Sequence, residues 1–189
     1  MDKTAIEHWS PVIGGQFWWS GVIFALNFVT LMIFVGSKLT SKQRDIVVYG
    51  MGIYQLGNKI LSQVGYLLSD NYILASNLPL HLCGLSGILA GIVVFYRKQI
   101  LFEFLYFFGL VGFIHSVLTP EFTGGTSAWK IFDYYVGHSM LIIIPVWLMK
   151  YYDFRLRPNS WWTSFVYLQL VVVIVMQINN IIGNGANYM

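Results

Sequence analysis

The segment FWWSGVIFALNFVTLMIFVG, residues 17–36, contains no charged side chain over its whole length. About 20 consecutive apolar residues are enough for an α-helix to cross the hydrocarbon core of a bilayer. The rest of the chain has the same character, since 57% of its 189 residues are hydrophobic and 10% are charged, whereas soluble domains average about 25% charged. The sequence therefore predicts an integral membrane protein without a separate soluble domain.

Further apolar runs follow this segment at regular intervals. We predict one all-α domain over residues 1–189, a polytopic bundle of six transmembrane helices near residues 17–36, 46–68, 79–97, 100–119, 131–150 and 161–183. The sequence has no fixed-period repeat, low-complexity tract or proline-rich linker that would divide the chain. A single domain is therefore the simplest interpretation.

Basic side chains occupy every second loop of this predicted bundle. They are Lys38, Lys42, Arg44, Arg97, Lys98, Lys150, Arg155 and Arg157. Because loops rich in lysine and arginine stay in the cytoplasm, we expect both termini outside the cytoplasm. The net charge of +3 is spread over these loops, so the chain has no basic face of the kind that binds nucleic acid.

Polar side chains gather towards the outer ends of five predicted spans. They include Gln55, Lys59, Gln63, His115, Asp133, His138, Asn180, Asn184 and Asn187. Lys59 either reaches the membrane interface along its flexible stem or places an ammonium group inside the bundle, where it would meet a ligand or a carboxylate. The asparagines either join helices by hydrogen bonds or contact a ligand.

The single cysteine, Cys83, lies in LPLHLCGLSG, residues 78–87, at the outer end of the third span. His81 is two residues away, which turns it about 200° around a helix, so it is a poor direct base for the thiol. An imidazole beside a thiol can produce the reactive thiolate, and His115 and His138 lie at a comparable depth. The simpler alternative is a cysteine that acts only as a small hydrophobic residue.

The start of the third span is predicted from its capping residues. We expect Asn77 to be the N-cap and Pro79 to occupy the first turn. Gly87 and Gly91 form a GxxxG pair, which predicts close approach of another helix or an acyl chain to this side of the span.

A metal site is a competing use of the same side chains. His81, Cys83, His115 and His138 offer nitrogen and sulfur ligands, but they lack the short spacings typical of zinc sites. The stretch GGTSAW, residues 124–129, lacks the lysine of a phosphate-binding loop. We therefore predict no metal and no other cofactor.

Several motifs in order resemble the YwaF-like bacterial integral membrane family. They are LPLHLCG at 78–84, HSVLTPEF at 115–122, YYVGHSMLI at 134–142, RPNSWW at 157–162 and NNIIGNGANYM at 179–189. This family is distantly related to the eukaryotic acyltransferase transmembrane protein 164. The resemblance implies a multi-pass protein of the bacterial plasma membrane that acts on membrane phospholipids.

The resemblance also implies roles for individual residues. Cys83 corresponds to the acyl-accepting nucleophile and His138 to its activating base, in a lipid acyltransferase or lipid hydrolase with a thioester intermediate. The residues expected to contact substrate are His81, His115, Lys59, Asn180 and Asn184, with Lys59 suited to a phosphate and the asparagines to an oxyanion. The alternative is a non-catalytic subunit that binds a small molecule or lipid for an uptake transporter or a larger membrane complex.

Overall fold

The computed structural model describes residues 9–68, 72–122, 125–183 and 185–188. Within these ranges the chain forms seven helices and no strand: α1 Gln16–Lys38, α2 Ser41–Leu68, α3 Leu74–Asn77, α4 Leu82–Phe95, α5 Gln99–Leu118, α6 Ala128–Tyr151 and α7 Ser160–Ile182. One isolated backbone bridge pairs Trp9 with Phe122. The predicted all-α fold class is confirmed.

Four helices, α1, α5, α6 and α7, are long and apolar enough to cross a membrane. The other two predicted spans differ for separate reasons. Helix α2 has 28 residues, but its second half carries the polar residues around Lys59. Helix α4 has 14 residues, which rise only about 21 Å against a hydrocarbon core of about 30 Å. The chain is thus a helical membrane protein, and the six-span arrangement stays a prediction.

The expected start of the third span is wrong. Asn77 does not cap the long helix but ends the short helix α3, where its side-chain oxygen accepts a hydrogen bond from the amide of Ile73 at 2.6 Å. Helix α4 begins five residues later, with His81 in extended conformation as its N-cap. Proline disfavours helical geometry in the residue before it, and Leu78, before Pro79, is extended.

The core is built around α6, which packs against α1, α2, α4 and α5. Its inner residues, Ile143, Ile144, Trp147 and Leu148, are fully buried. Helix α7 packs mainly against α5 and α3, and few of its residues are buried. An apolar helix with so little protein contact presents its exposed surface to lipid.

Charged residues pair at the end of the bundle that carries the basic loops. The carboxylate of Glu103, near the start of α5, is 1% exposed and binds Arg157 in a bidentate pair, with the nearest N···O distance at 2.7 Å. On the neighbouring side Arg97 contacts Asp45 at 3.3 Å, and the hydroxyl of Tyr152 donates to the same carboxylate at 2.6 Å. These pairs join the N-terminal ends of α2 and α5 to loop residues that are distant in sequence.

Candidate active site

A cavity of about 600 Å³ opens between α2, α4, α5 and α6, at the end of the bundle away from the basic loops. Its wall collects most of the polar layer expected from the sequence. The side chains include Gln55, Asn58, Lys59, Gln63, His81, Cys83, His115, Ser116, Asp133, Tyr134 and His138. The helices thus bring the thiol, three imidazoles and an ammonium group to one space.

Cys83 lies in the first turn of α4 and lines the cavity. A Cβ atom placed at Gly112 of α5 would lie 3.5 Å from the sulfur, so the missing side chain of this glycine leaves space beside the thiol. At Gly84 a Cβ atom would lie 2.7 Å from the carbonyl oxygen of Pro79. Only glycine therefore fits where α4 meets the turn before it.

His138 is oriented by its own helix. Its Nδ1 lies 2.7 Å from the carbonyl oxygen of Tyr134, one turn earlier in α6, and the two rings pack with centroids 4.2 Å apart. A carbonyl oxygen only accepts hydrogen bonds, so Nδ1 carries the proton in this contact. The neutral imidazole then has its free lone pair on Nε2, which is the atom a general base needs.

No hydrogen bond joins the sulfur of Cys83 to an imidazole nitrogen within the described ranges. Both side chains nevertheless line the same cavity. Hydrogen bonds between catalytic groups are often long before substrate binds and shorten in the complex.

Lys59 extends from α2 across the face of α4. Its Cε lies 3.0 Å, and its Nζ 3.8 Å, from the Cβ position of Gly87, which is one helical turn after Cys83. Lys59 lines the cavity, and its ammonium group lies beside Gly87, on the cysteine-bearing side of α4. Of the two interpretations of Lys59, this position matches the ammonium group inside the bundle.

Asp133 links α6 to α2 and does not orient His138. Its carboxylate accepts a hydrogen bond from the hydroxyl of Tyr54 at 2.5 Å and another from the side-chain amide of Asn58. One turn away, the side chain of Gln55 donates to the carbonyl of Gly137 at 2.8 Å. Sequence reasoning missed Tyr54 and Asn58 as partners of this carboxylate, although their i, i+4 spacing places them on one face of α2.

A second feature that sequence reasoning missed is Tyr188, which is 1% exposed. Its hydroxyl donates to the carbonyl of Leu74 at 2.6 Å and accepts from the amide of Leu78 at 2.9 Å, and its ring packs against His81. The side chain of Asn179 forms two hydrogen bonds with the Tyr188 backbone. Burial raises the pKa of Tyr188, so the hydroxyl stays protonated and keeps its role as a donor.

The predicted contact of Asn180 with substrate is not part of this geometry. Asn180 lies on an exposed position of α7 and does not line the cavity. Asn184 lies outside the described residues. A contact of either amide with substrate stays a prediction.

The described residues contain no group of side chains that could bind a metal ion. Three or more histidine, cysteine, aspartate or glutamate side chains converge nowhere in these ranges in a way that would hold an ion. His81, Cys83, His115 and His138 share the cavity without forming a coordination shell.

The whole described bundle, including the cavity and the C-terminal segment, falls within one sequence family. No curated protein and no solved structure shows significant similarity to the chain. The family model described as the TMEM164 family matches residues 6–189. Because this match covers nearly the full sequence, the chain belongs to the TMEM164 family.

Proposed function

We propose that this membrane protein transfers or hydrolyses lipid acyl groups through a thioester on Cys83. The supporting observation is that Cys83, His138 and Lys59 line one cavity while a backbone carbonyl holds Nδ1 of the histidine. The proposal places the protein in the YwaF-like bacterial branch, in the plasma membrane. Its six spans leave both termini outside, so the cavity faces the outer leaflet.

The first half-reaction forms the thioester. Nε2 of His138 takes the proton of the Cys83 thiol, and the thiolate attacks an ester carbonyl of a phospholipid. The carbon–sulfur bond forms, the carbon–oxygen bond of the ester breaks, and the leaving alkoxide takes the proton from the imidazolium. The products are a lysophospholipid and an acyl thioester.

The second half-reaction regenerates the thiol. His138 removes a proton from the hydroxyl group of a second lipid, or from water, and the oxygen attacks the thioester. The carbon–sulfur bond breaks and the thiolate recovers the proton from the imidazolium. A lipid acceptor makes the protein a transferase, and water makes it a hydrolase.

The start of α4 offers donors for the oxyanion that forms in both steps. No side chain caps this helix, and the first amide groups of any helix lack partners within the helix. The amides of Leu82, Cys83 and Gly84 are therefore suited to the developing negative charge, a role whose loss typically costs about 3–4 kcal/mol of transition-state stabilisation. Lys59 is suited to the lipid phosphate.

The test exploits the fact that Cys83 is the only cysteine. Purified protein is incubated with phosphatidylcholine vesicles, and its intact mass is measured before and after neutral hydroxylamine, which cleaves thioesters. We expect an acyl adduct that hydroxylamine removes, and no adduct on Cys83→Ala. Cys83→Ser should lose labelling by a thioester-trapping activity probe, so full labelling of this variant contradicts the proposal.

A second variant tests the base separately from the nucleophile. His138→Asn keeps a donor near the position of Nδ1 but removes Nε2, so acylation should slow by about 10²–10⁴-fold. Unchanged melting in detergent would confirm that the variant is folded. Acylation at the wild-type rate would exclude His138 as the base, and a bound lipid without turnover in the wild type would favour the non-catalytic binding subunit.

A further inference from the structure

Tyr134 contacts the imidazole of His138 with its backbone and with its side chain. The backbone carbonyl oxygen lies 2.7 Å from Nδ1, and the two rings pack with centroids 4.2 Å apart. In an α-helix this carbonyl oxygen already accepts the backbone amide of the residue four positions later, so Nδ1 shares its acceptor. The χ2 torsion of histidine has no sharp preference, and a contact on the face of the ring is therefore needed to limit its rotation.

Other elements of the bundle hold the ring of Tyr134 in place. Its hydroxyl donates to the backbone carbonyl of Ser116 at 3.2 Å and accepts from the amide of Glu121 at 3.4 Å. The carbonyl of Ser116 belongs to the last turn of α5, where carbonyls lack partners within the helix. The ring also packs against Phe122, with centroids 4.7 Å apart. The position of this ring therefore does not depend on α6 alone.

Phe122 is fixed in turn by the N-terminal segment. Its backbone amide donates to the carbonyl of Trp9 at 2.8 Å, and the amide of Trp9 donates to the carbonyl of Phe122 at 3.1 Å. The two rings pack with centroids 5.4 Å apart, and Phe122 is 3% exposed. A series of contacts thus runs from Trp9 through Phe122 and Tyr134 to His138.

We propose that the side chain of Tyr134 is a positioning residue for His138, which keeps Nδ1 on the backbone carbonyl and leaves Nε2 free to take the proton of Cys83. This inference rests on the proposed acyl transfer and adds the group that orients its base. In serine and cysteine hydrolases a carboxylate or amide often orients the histidine. The neighbouring carboxylate of Asp133 is bound to α2 instead, so this role falls to the carbonyl and the ring of Tyr134.

The tautomer of His138 reports this role directly and needs no turnover. Protein labelled with isotopic nitrogen at its histidines is studied by NMR in detergent micelles, at a pH where the imidazole is neutral. The signals of His138 are those that His138→Asn lacks. We expect the wild type to carry the proton on Nδ1, and Tyr134→Leu to show a mixture of both tautomers. Tyr134→Phe keeps the ring and should match the wild type.

Kinetics separate positioning of the base from binding of the lipid. Misplacing a catalytic group by about 1 Å can lower the rate by about 10²-fold. We therefore expect Tyr134→Leu to lower the maximal rate of Cys83 acylation by about this factor, while the lipid concentration at half-maximal rate stays the same. Tyr134→Phe should recover most of the lost rate.

Tyr135→Leu is the matched control, because it makes the same change one residue further along α6. Tyr135 is 3% exposed and does not line the cavity, and the described residues offer its hydroxyl no hydrogen-bond partner. This variant should lower the melting temperature at least as much as Tyr134→Leu. The tautomer of His138 and the acylation rate should keep their wild-type values.

A second variant keeps the inference testable if Tyr134→Leu does not fold. Phe122→Leu removes the ring behind Tyr134 without a change in α6, and it should also mix the tautomers of His138.

The outcomes distinguish this inference from the proposed function. A wild-type tautomer in the folded variants of Tyr134 and Phe122, or the same mixture in Tyr135→Leu, would overturn the positioning role. A loss in Tyr134→Leu that lies only in the lipid concentration at half-maximal rate would also overturn it, because Tyr134 would then act by binding substrate. Absence of any adduct on the wild type, with the expected tautomers, would instead overturn acyl transfer and leave the orientation of His138 intact.

Discussion

Replacing Arg157 with alanine should destabilise the bundle by removing the main partner of a buried carboxylate. Glu103 accepts four hydrogen bonds, from Gln99 at 2.8 Å and from the backbone, Nε and Nη2 of Arg157 at 3.0, 2.9 and 2.7 Å. Arg157→Ala removes the last two, and charge-assisted bonds contribute about 1.5–3 kcal/mol each. The side chain of Arg157 is 54% exposed, so each bond should contribute near the lower limit of this range. We therefore expect the free energy of unfolding to fall by about 3 kcal/mol.

The free energy of unfolding is measured in detergent micelles by titration with denaturant. The matched control is the double variant Glu103→Gln with Arg157→Ala. The glutamine oxygen can still accept from Gln99 and from the backbone amide at 157, because both bind the same carboxylate oxygen, and no charge is left buried. The double variant should therefore recover part of the loss.

Two results would refute this reasoning. A loss below about 1 kcal/mol in Arg157→Ala would show that the pair contributes no more than a typical surface ion pair. A double variant less stable than Arg157→Ala would show that the buried charge is not the source of the loss.

Three further substitutions test the packing around the cavity. Gly91→Ala would put a Cβ atom 2.4 Å from Cγ of Leu56. We therefore expect the free energy of unfolding to fall by about 1–3 kcal/mol and the melting temperature to fall with it. An unchanged melting temperature would contradict this packing. Gly112→Ala places a Cβ atom 3.3 Å from Cδ1 of Leu141 and 3.5 Å from the sulfur of Cys83. A small shift of the leucine side chain relieves the first contact, so the protein should fold while maleimide labels the thiol more slowly; equal labelling rates would contradict it. Tyr188→Phe removes two hydrogen bonds, so hydrogen exchange should accelerate in the segment before α4, whereas unchanged exchange would show that the hydroxyl is not needed there.

Many residues that line the cavity could be predicted from the sequence, because their positions follow from helix periodicity and from the alternating directions of the helices. Gln55, Lys59 and Gln63 line the cavity together, as their i, i+4, i+8 spacing on α2 predicts. His115 and His138 reach the same space because α5 and α6 run in opposite directions. These are local or topological regularities, which a sequence carries directly.

Other features depend on contacts between distant residues, which no local pattern encodes. The pairing of Glu103 with Arg157 spans 54 residues. The hydrogen bond that the hydroxyl of Tyr188 accepts from the amide of Leu78, in the turn before α4, spans 110 residues. The orientation of Asn180 was not predictable for another reason, because α7 is apolar on most sides and its periodicity does not indicate which face meets the protein.

Contacts at the two ends of α7 fix its position, whereas the packing along its middle contributes little. Lipid chains are as apolar as the side chains of this helix, so little hydrophobic force holds its middle against the bundle. At one end Arg157, just before the helix, binds Glu103 on α5. At the other, Asn179 holds the backbone of Tyr188, whose hydroxyl binds the segment leading to His81 and α4. Because α4 carries the thiol in its first turn, the C-terminal segment helps to fix the geometry of the cavity.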